Sequence, residues 1–130
     1  MSDDLGKLVL RVGLGVLLLF HGVHKLLNGL DPIKAMLASH NMSDSLAYGV
    51  YLGELVAPVL VIIGLFSRIG ALLIAIDMLV AVVLAGLTRV LAIGPTGGYA
   101  LELEAFYFVA AVAISLLGAG RFSIGSGRWN

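Results

Sequence analysis

The sequence predicts an all-α membrane protein, a four-helix transmembrane bundle with a short interfacial helix between spans one and two. Three observations carry that prediction. Of the 130 residues, 60% are apolar, above the roughly 45 to 50% of soluble domains. Four apolar stretches lie at about 7–28, 48–66, 69–87 and 99–117, each close to the ~20 residues that cross a bilayer. The connections between them are short and marked by Gly, Pro and polar residues, so residues 1–130 are expected to form a single transmembrane domain.

Span one is expected to stop at Gly29 and Asp31-Pro32, since glycine after a helix and proline beyond it end the hydrogen-bond ladder. Its acidic opening, Met1-Ser2-Asp3-Asp4, lacks the basic region of a secretory signal, so the segment is read as a retained span. The connection 30–47 is too polar to span. Within it Asp31 can cap a short helix with Pro32 at its first position. Ile33, Met36 and Leu37 would line one side of that helix, placing it at the membrane surface or over the bundle mouth.

Span two contains Pro58, which removes a backbone donor and bends the helix near Glu54. Ser67-Arg68 is read as the turn of an antiparallel hairpin into span three. Gly94-Pro95-Thr96-Gly97-Gly98 reads as a loop, and Gly118 and Gly120 close span four. Lys and Arg counted by side give five (Lys7, Arg11, Arg68, Arg121, Arg128) against three (Lys25, Lys34, Arg89). By the positive-inside rule both termini are expected in the cytoplasm, for a multi-pass protein of a bacterial inner membrane.

Ionisable groups inside apolar spans are costly and are retained where they meet a partner or water. Arg11, Gly15, Leu18, Gly22 and Lys25 recur at spacings of four, three, four and three, which is one face of a helix. Arg11 and Lys25 could use that face inward, Arg11 pairing with Asp77 of span three, or snorkel to headgroups. Glu54 has no cation in its own span, so its partner must come from another helix or it must carry a proton. It is expected to serve as a proton carrier or ligand contact, the bland alternative being a structural ion pair with Arg11 or Lys25. His21 and His24 could ligate a metal only with help from Glu54 or Glu102, and hydrogen bonding or proton relay is the preferred reading. No metal is assigned. Glu102 and Glu104 sit about 200° apart around a helix, so only one can face the interior. Tyr107 is within reach of both, and Tyr48, Tyr51 and Tyr99 gather toward the same end as part of an aromatic belt.

Several classes are excluded or disfavoured. Eight basic and eight acidic residues give no net charge, hence no field to draw nucleic acid. Without cysteine there are no disulfides, thiol relays or thiolate-held clusters. Walker, dinucleotide, nucleophile-elbow and HExxH motifs are missing.

The order Arg11 to Gly15, Phe20-His21-Gly22-Val23-His24-Lys25-Leu26, Glu54 with Pro58, Gly64-Leu65-Phe66-Ser67-Arg68, an acidic residue in span four and Gly118-Ala119-Gly120-Arg121-Phe122-Ser123-Ile124 resembles the DoxX family of small bacterial membrane proteins. The resemblance implies a four-helix bundle related to subunits associated with quinol oxidase and thiosulfate:quinone oxidoreductase activities. It maps the family's motifs onto Arg11, His21, Lys25, Glu54, Arg68 and either Glu102 or Glu104. The chain departs from the pattern at Gly125, where an aspartate is common.

Together these readings make His21, His24, Lys25, Glu54, Glu102, Glu104, Tyr107 and Arg11 the candidate ligand-binding residues of a buried polar pocket in the outer half of the bundle. A quinone head group is the expected ligand, with no intrinsic cofactor. The expected partners are the bilayer, a redox-enzyme subunit for which this chain would be an accessory, and a second copy in a homo-oligomer. The competing class is a non-enzymatic scaffold or a small transporter.

Overall fold

The computed structural model describes residues 1–85, 92–95 and 97–130. The end of span three at 86–87, Arg89 and Thr96 lie outside the described residues. Among the described residues three helices are long and apolar enough to cross a membrane. The first, α1, runs from Ser2–Asn28. Asp3 and Asp4 sit in its first turn and Lys25 in its last, the signs that the helix dipole favours. Gly29, with φ of 86°, ends it by donating its N–H to Lys25 O.

The second element, α2, spans Asp31–Ser39 with Pro32 in its first turn. Leu30, not Asp31, occupies the capping position, and no side chain caps it. Its apolar side folds down onto the bundle: Leu37 is buried with Leu30 and Ala47, and Ile33 packs beside Val50, Tyr51 and Leu84.

The helix α3, Asp44–Ile63, is built from four segments of three helical kinds. A 3-10 stretch Asp44–Tyr48 leads into one α turn, Gly49–Tyr51, then a π turn at Leu52–Val56, then regular α-helix over Ala57–Ile63. Pro58 explains the π turn. It has no N–H, and its ring would press on the carbonyl of Glu54, four residues back; widening the preceding turn relieves that pressure. Ala57 N–H reaches back five residues to Leu52 O, while Glu54 O is left without its ordinary helical donor.

The turn after α3 is Gly64–Phe66, one turn earlier than the sequence reading placed it, with Gly64 at φ 74° and Phe66 at φ 48°. Ser67 and Arg68 instead open α4, Ser67–Ala85. Their polarity belongs to a helix start whose free N–H groups are met from far along the chain: Ser67 N–H donates to Asn130 Oδ1 at 3.2 Å and Arg68 N–H to Trp129 O at 3.1 Å. The last helix, α5, covers Glu102–Leu117. Its 16 residues rise about 24 Å, against about 30 Å of hydrocarbon. The described residues just before it, 92–95 and 97–101, are not helical, and Ile93 pairs with Tyr99 in an isolated antiparallel bridge.

The helices pack as a bundle, α1 against α3 and α5, α3 against α4, and α4 against α5. Leu18, Val61, Ile74 and Ile114, one from each long helix, are at most 1% exposed and share one core. Around them Ala57, Ala71, Ala75, Ala110 and Ala111 are buried. Small residues at the seams let backbones approach closely, which matters in lipid, where apolar side chains gain nothing by leaving the acyl chains. Leu17, Phe20, Leu27, Leu72, Phe106 and Leu116 face outward instead.

Candidate functional site

The inward stripe of α1 positions the site. Arg11, Leu14, Gly15, Leu18 and Gly22 are all buried. Gly22 is required because α3 crosses there: a Cβ on Gly22 would overlap the carbonyl oxygen and carbon of Glu54. The carbonyl freed by Pro58 is thus pressed against the glycine of α1, and the side chain of Glu54 meets Lys25, one turn further along that helix. Lys25 Nζ donates to Glu54 Oε1 at 2.7 Å and to Oε2 at 2.8 Å. The side chain of Glu54 is only 5% exposed and that of Lys25 26%, so the pair sits at the edge of the core.

Glycine also sets the third carboxylate contact. Asp77 of α4 packs on Gly53, where an added Cβ would come within 2.7 Å of the aspartate Cβ and 2.8 Å of its Cγ. Asp77 Oδ2 is buried without a hydrogen-bond partner among the described residues. A buried acceptor left unmatched costs ~1–3 kcal/mol.

Lys25, Glu54, Asp77 and Glu104 border a cavity of about 260 Å³, whose apolar walls include Ile33 and Met36 of α2. A smaller space of about 80 Å³ extends from the same lysine and glutamates to His21 and Tyr107. The His21 and Tyr107 rings meet edge to face, with centroids 6.0 Å apart. On the other side Asp77 borders an apolar cavity of about 320 Å³ lined by Leu52, Ile76 and Val80.

Of the residues singled out in the sequence, His21, Lys25, Glu54, Glu104 and Tyr107 therefore converge. Three do not. His24 is exposed and takes its contact from Asn28, 3.1 Å from Nδ1. Glu102 is exposed in the first turn of α5, beside Gly98 of the preceding loop, so Glu104 is the inward member of the pair. Arg11 lies about 21 Å down α1 from Lys25. It is 1% exposed and neither snorkels nor pairs with Asp77. Its guanidinium makes five hydrogen bonds to four carbonyls, those of Val61, Ile62, Ala119 and Phe122. It closes the C-terminus of α3, where carbonyls have no helical donor.

Asp77 is the residue that the candidate set omitted. A carboxylate inside an apolar span was the available signal, and Gly53 on the facing helix was the second. Among the described residues no group of three or more His, Cys, Asp and Glu forms a metal site.

Comparison with curated proteins and with solved structures returned no match. The DoxX family model matches residues 6–87, a stretch that contains α1 from its second turn on, α2, α3 and the described part of α4, with Arg11, His21, Lys25, Glu54 and Asp77. The chain is a membrane protein with several apolar helices, and it belongs to the DoxX family.

Proposed function

We propose that this protein is a four-span accessory subunit of a membrane oxidoreductase that holds a quinone head group in the cavity between α1, α3, α4 and α5. The observation that carries the reading is one lysine set among three carboxylates at the floor of a cavity with apolar walls. A lipid-soluble ligand with a polar head matches both surfaces. The unmatched Asp77 Oδ2 fits the reduced, quinol form of such a ligand, since it can accept from a quinol hydroxyl, whereas the quinone itself offers only acceptors.

In this reading a bound quinone supplies the electron-accepting ring, and electrons come from a partner redox subunit. The chain's own residues orient and exchange protons. Lys25 and His21 donate to carbonyl oxygens, Glu54 and Glu104 take or give the protons that accompany reduction, and Tyr107 holds the His21 ring edge-on. Ile33 and Met36 give the ligand apolar contact on the α2 side of the cavity.

The helix α5 is proposed as the fourth span, its shortfall in length made up by flanking aromatic and polar residues that reach the interface. The excess of Lys and Arg near the termini supports both ends in the cytoplasm and the cavity toward the opposite face of a bacterial inner membrane.

Lipid extraction of the purified protein followed by mass spectrometry tests the reading. Menaquinone or ubiquinone is expected with the wild type, and at least tenfold less with a folded Glu54→Gln variant. A wild type free of quinone would favour the second reading, a small transporter, which the broken geometry of α3 beside Glu54 supports.

A further inference from the structure

At the far end of the bundle lies a second cavity, of about 340 Å³, bordered by Arg68, Gly118, Arg121, Ser123, Ser126 and Asn130. Its wall is the segment after α5, which folds back beneath the α3–α4 turn. Ile124 N–H donates to Ile63 O at 3.1 Å, Gly125 N–H to Gly64 O at 2.8 Å and Ala119 N–H to Asn130 O at 2.6 Å.

Two guanidiniums bracket this segment, and among the described residues neither meets a carboxylate side chain. Arg11 bonds Ala119 O and Phe122 O from within the bundle. Arg68 donates from Nη1 to Ser115 O at 3.3 Å and Leu116 O at 3.1 Å, closing the C-terminus of α5. Its Nε is buried with no partner among the described residues. Gly118 lies flush against it, since a Cβ there would come within 2.8 Å of Nη2.

The charge balance is positive. A helix C-terminus offers about −0.5 elementary charge, so the two capped ends offset about half of the two arginines. Arg121 and Lys7 stand on the same rim, where Asp4 Oδ1 accepts the Arg121 backbone N–H at 3.0 Å. The one ion pair among the described residues, Lys25 with Glu54, is at the opposite end.

We propose that this cavity binds a phosphate-type anion, supplied by an anionic lipid headgroup or by free inorganic phosphate. Arg68 offers its remaining donors and Arg121 a mobile charge, with Ser123 and Ser126 as neutral donors. A phosphodiester at the membrane surface would meet the cavity from the side where anionic lipids concentrate if the termini are cytoplasmic.

The test uses the full chain in dodecyl maltoside. It is titrated with sodium phosphate in one arm, and with phosphatidylglycerol or diacylglycerol in the other, and read by thermal shift and native mass spectrometry. Saturable binding of phosphate or of phosphatidylglycerol is expected, with phosphatidylglycerol at least tenfold over diacylglycerol. Binding of phosphate assigns the free anion; binding of phosphatidylglycerol alone assigns the headgroup. Arg68→Gln should weaken binding at least tenfold and Arg121→Gln about threefold or more, while Lys34→Gln, at the other end, leaves it unchanged. Arg121 has an exposed side chain, so its variant carries the test should Arg68→Gln fail to fold. No binding by the wild type, or equal binding by the wild type and both arginine variants, would overturn the proposal.

Discussion

Arg11 and Lys25 stand on the same face of the same helix, and they are used in opposite ways. Arg11 is enclosed, and its donors are committed to four carbonyls of α3 and the C-terminal segment. Nothing there is left over for a ligand through this residue. Lys25 meets one carboxylate, while two more, Asp77 and Glu104, border the same space. Acidic groups in excess of their cations in a low-dielectric site invite a proton, a donor or a cation from outside. The lesson is that an intramembrane charge marks function by what remains unmatched around it, and its depth or burial alone does not.

Breaking the closed end should have the largest effect. Arg11→Leu leaves four carbonyls without their donor and is expected to cost about 3–5 kcal/mol, as for removal of one member of a buried charged network. Arg11→Lys should rescue little, because an ammonium cannot span the same fork of carbonyls. Thermal unfolding in detergent reads both, and a melting temperature unchanged in Arg11→Leu would show that the clamp is dispensable.

Next in size is Gly22→Ala, which forces α1 away from the Glu54 carbonyl. Backbone cannot yield as a side-chain tip does, so a loss of about 1–3 kcal/mol is expected, with the Lys25 to Glu54 pair lengthened. Chemical shifts of a labelled Lys25 ammonium would follow the pair directly.

The open end should tolerate substitution better. Lys25→Met removes a partly exposed cation and is expected to cost about 1–2 kcal/mol, less than loss of a fully buried partner. Adding Glu54→Gln should recover much of that loss, because the uncompensated carboxylate is gone. A double-mutant cycle of melting curves measures the coupling, and strictly additive losses would mean that the pair is not energetically joined.

The smallest effect belongs to Lys34, which donates to Tyr48 Oη at 3.3 Å and lies 5.1 Å from the ring centroid. The hydrogen bond to Tyr48 raises its pKa above the usual 10.5. A raised folded-state value means that any contribution is complete below pH 10.5 and is lost as pH climbs through the folded pKa. Lys34→Ala should leave the melting temperature at pH 7 unchanged within error, since exposed pairs contribute little.

Much of this contrast was legible in the sequence. The three-and-four spacing from Arg11 to Lys25 identified the inward face of α1, and Pro58 marked where α3 departs from regular α-helix. What periodicity could not supply was contact between distant segments. The carbonyls that hold Arg11 come from residues 61, 62, 119 and 122. Ser67 and Arg68 resembled a turn because their capping partners, Trp129 and Asn130, lie over 60 residues away. The choice between Glu102 and Glu104 needed the start of α5, which comes at Glu102. A π turn cannot be told from an α turn by composition, so its effect on Glu54 was hidden, and with it the reason for Gly22.

The central claim is that Lys25, set among the carboxyl groups of Glu54, Asp77 and Glu104, holds a quinone head group by donating to its carbonyl oxygen. Titrating wild type and Glu54→Gln, both in dodecyl maltoside, with a short-chain ubiquinone by isothermal calorimetry tests it most directly. The account predicts saturable binding to the wild type and at least tenfold weaker binding to Glu54→Gln at a temperature where thermal unfolding shows both proteins folded. Equal affinity for the two proteins, or none for the wild type, would contradict it.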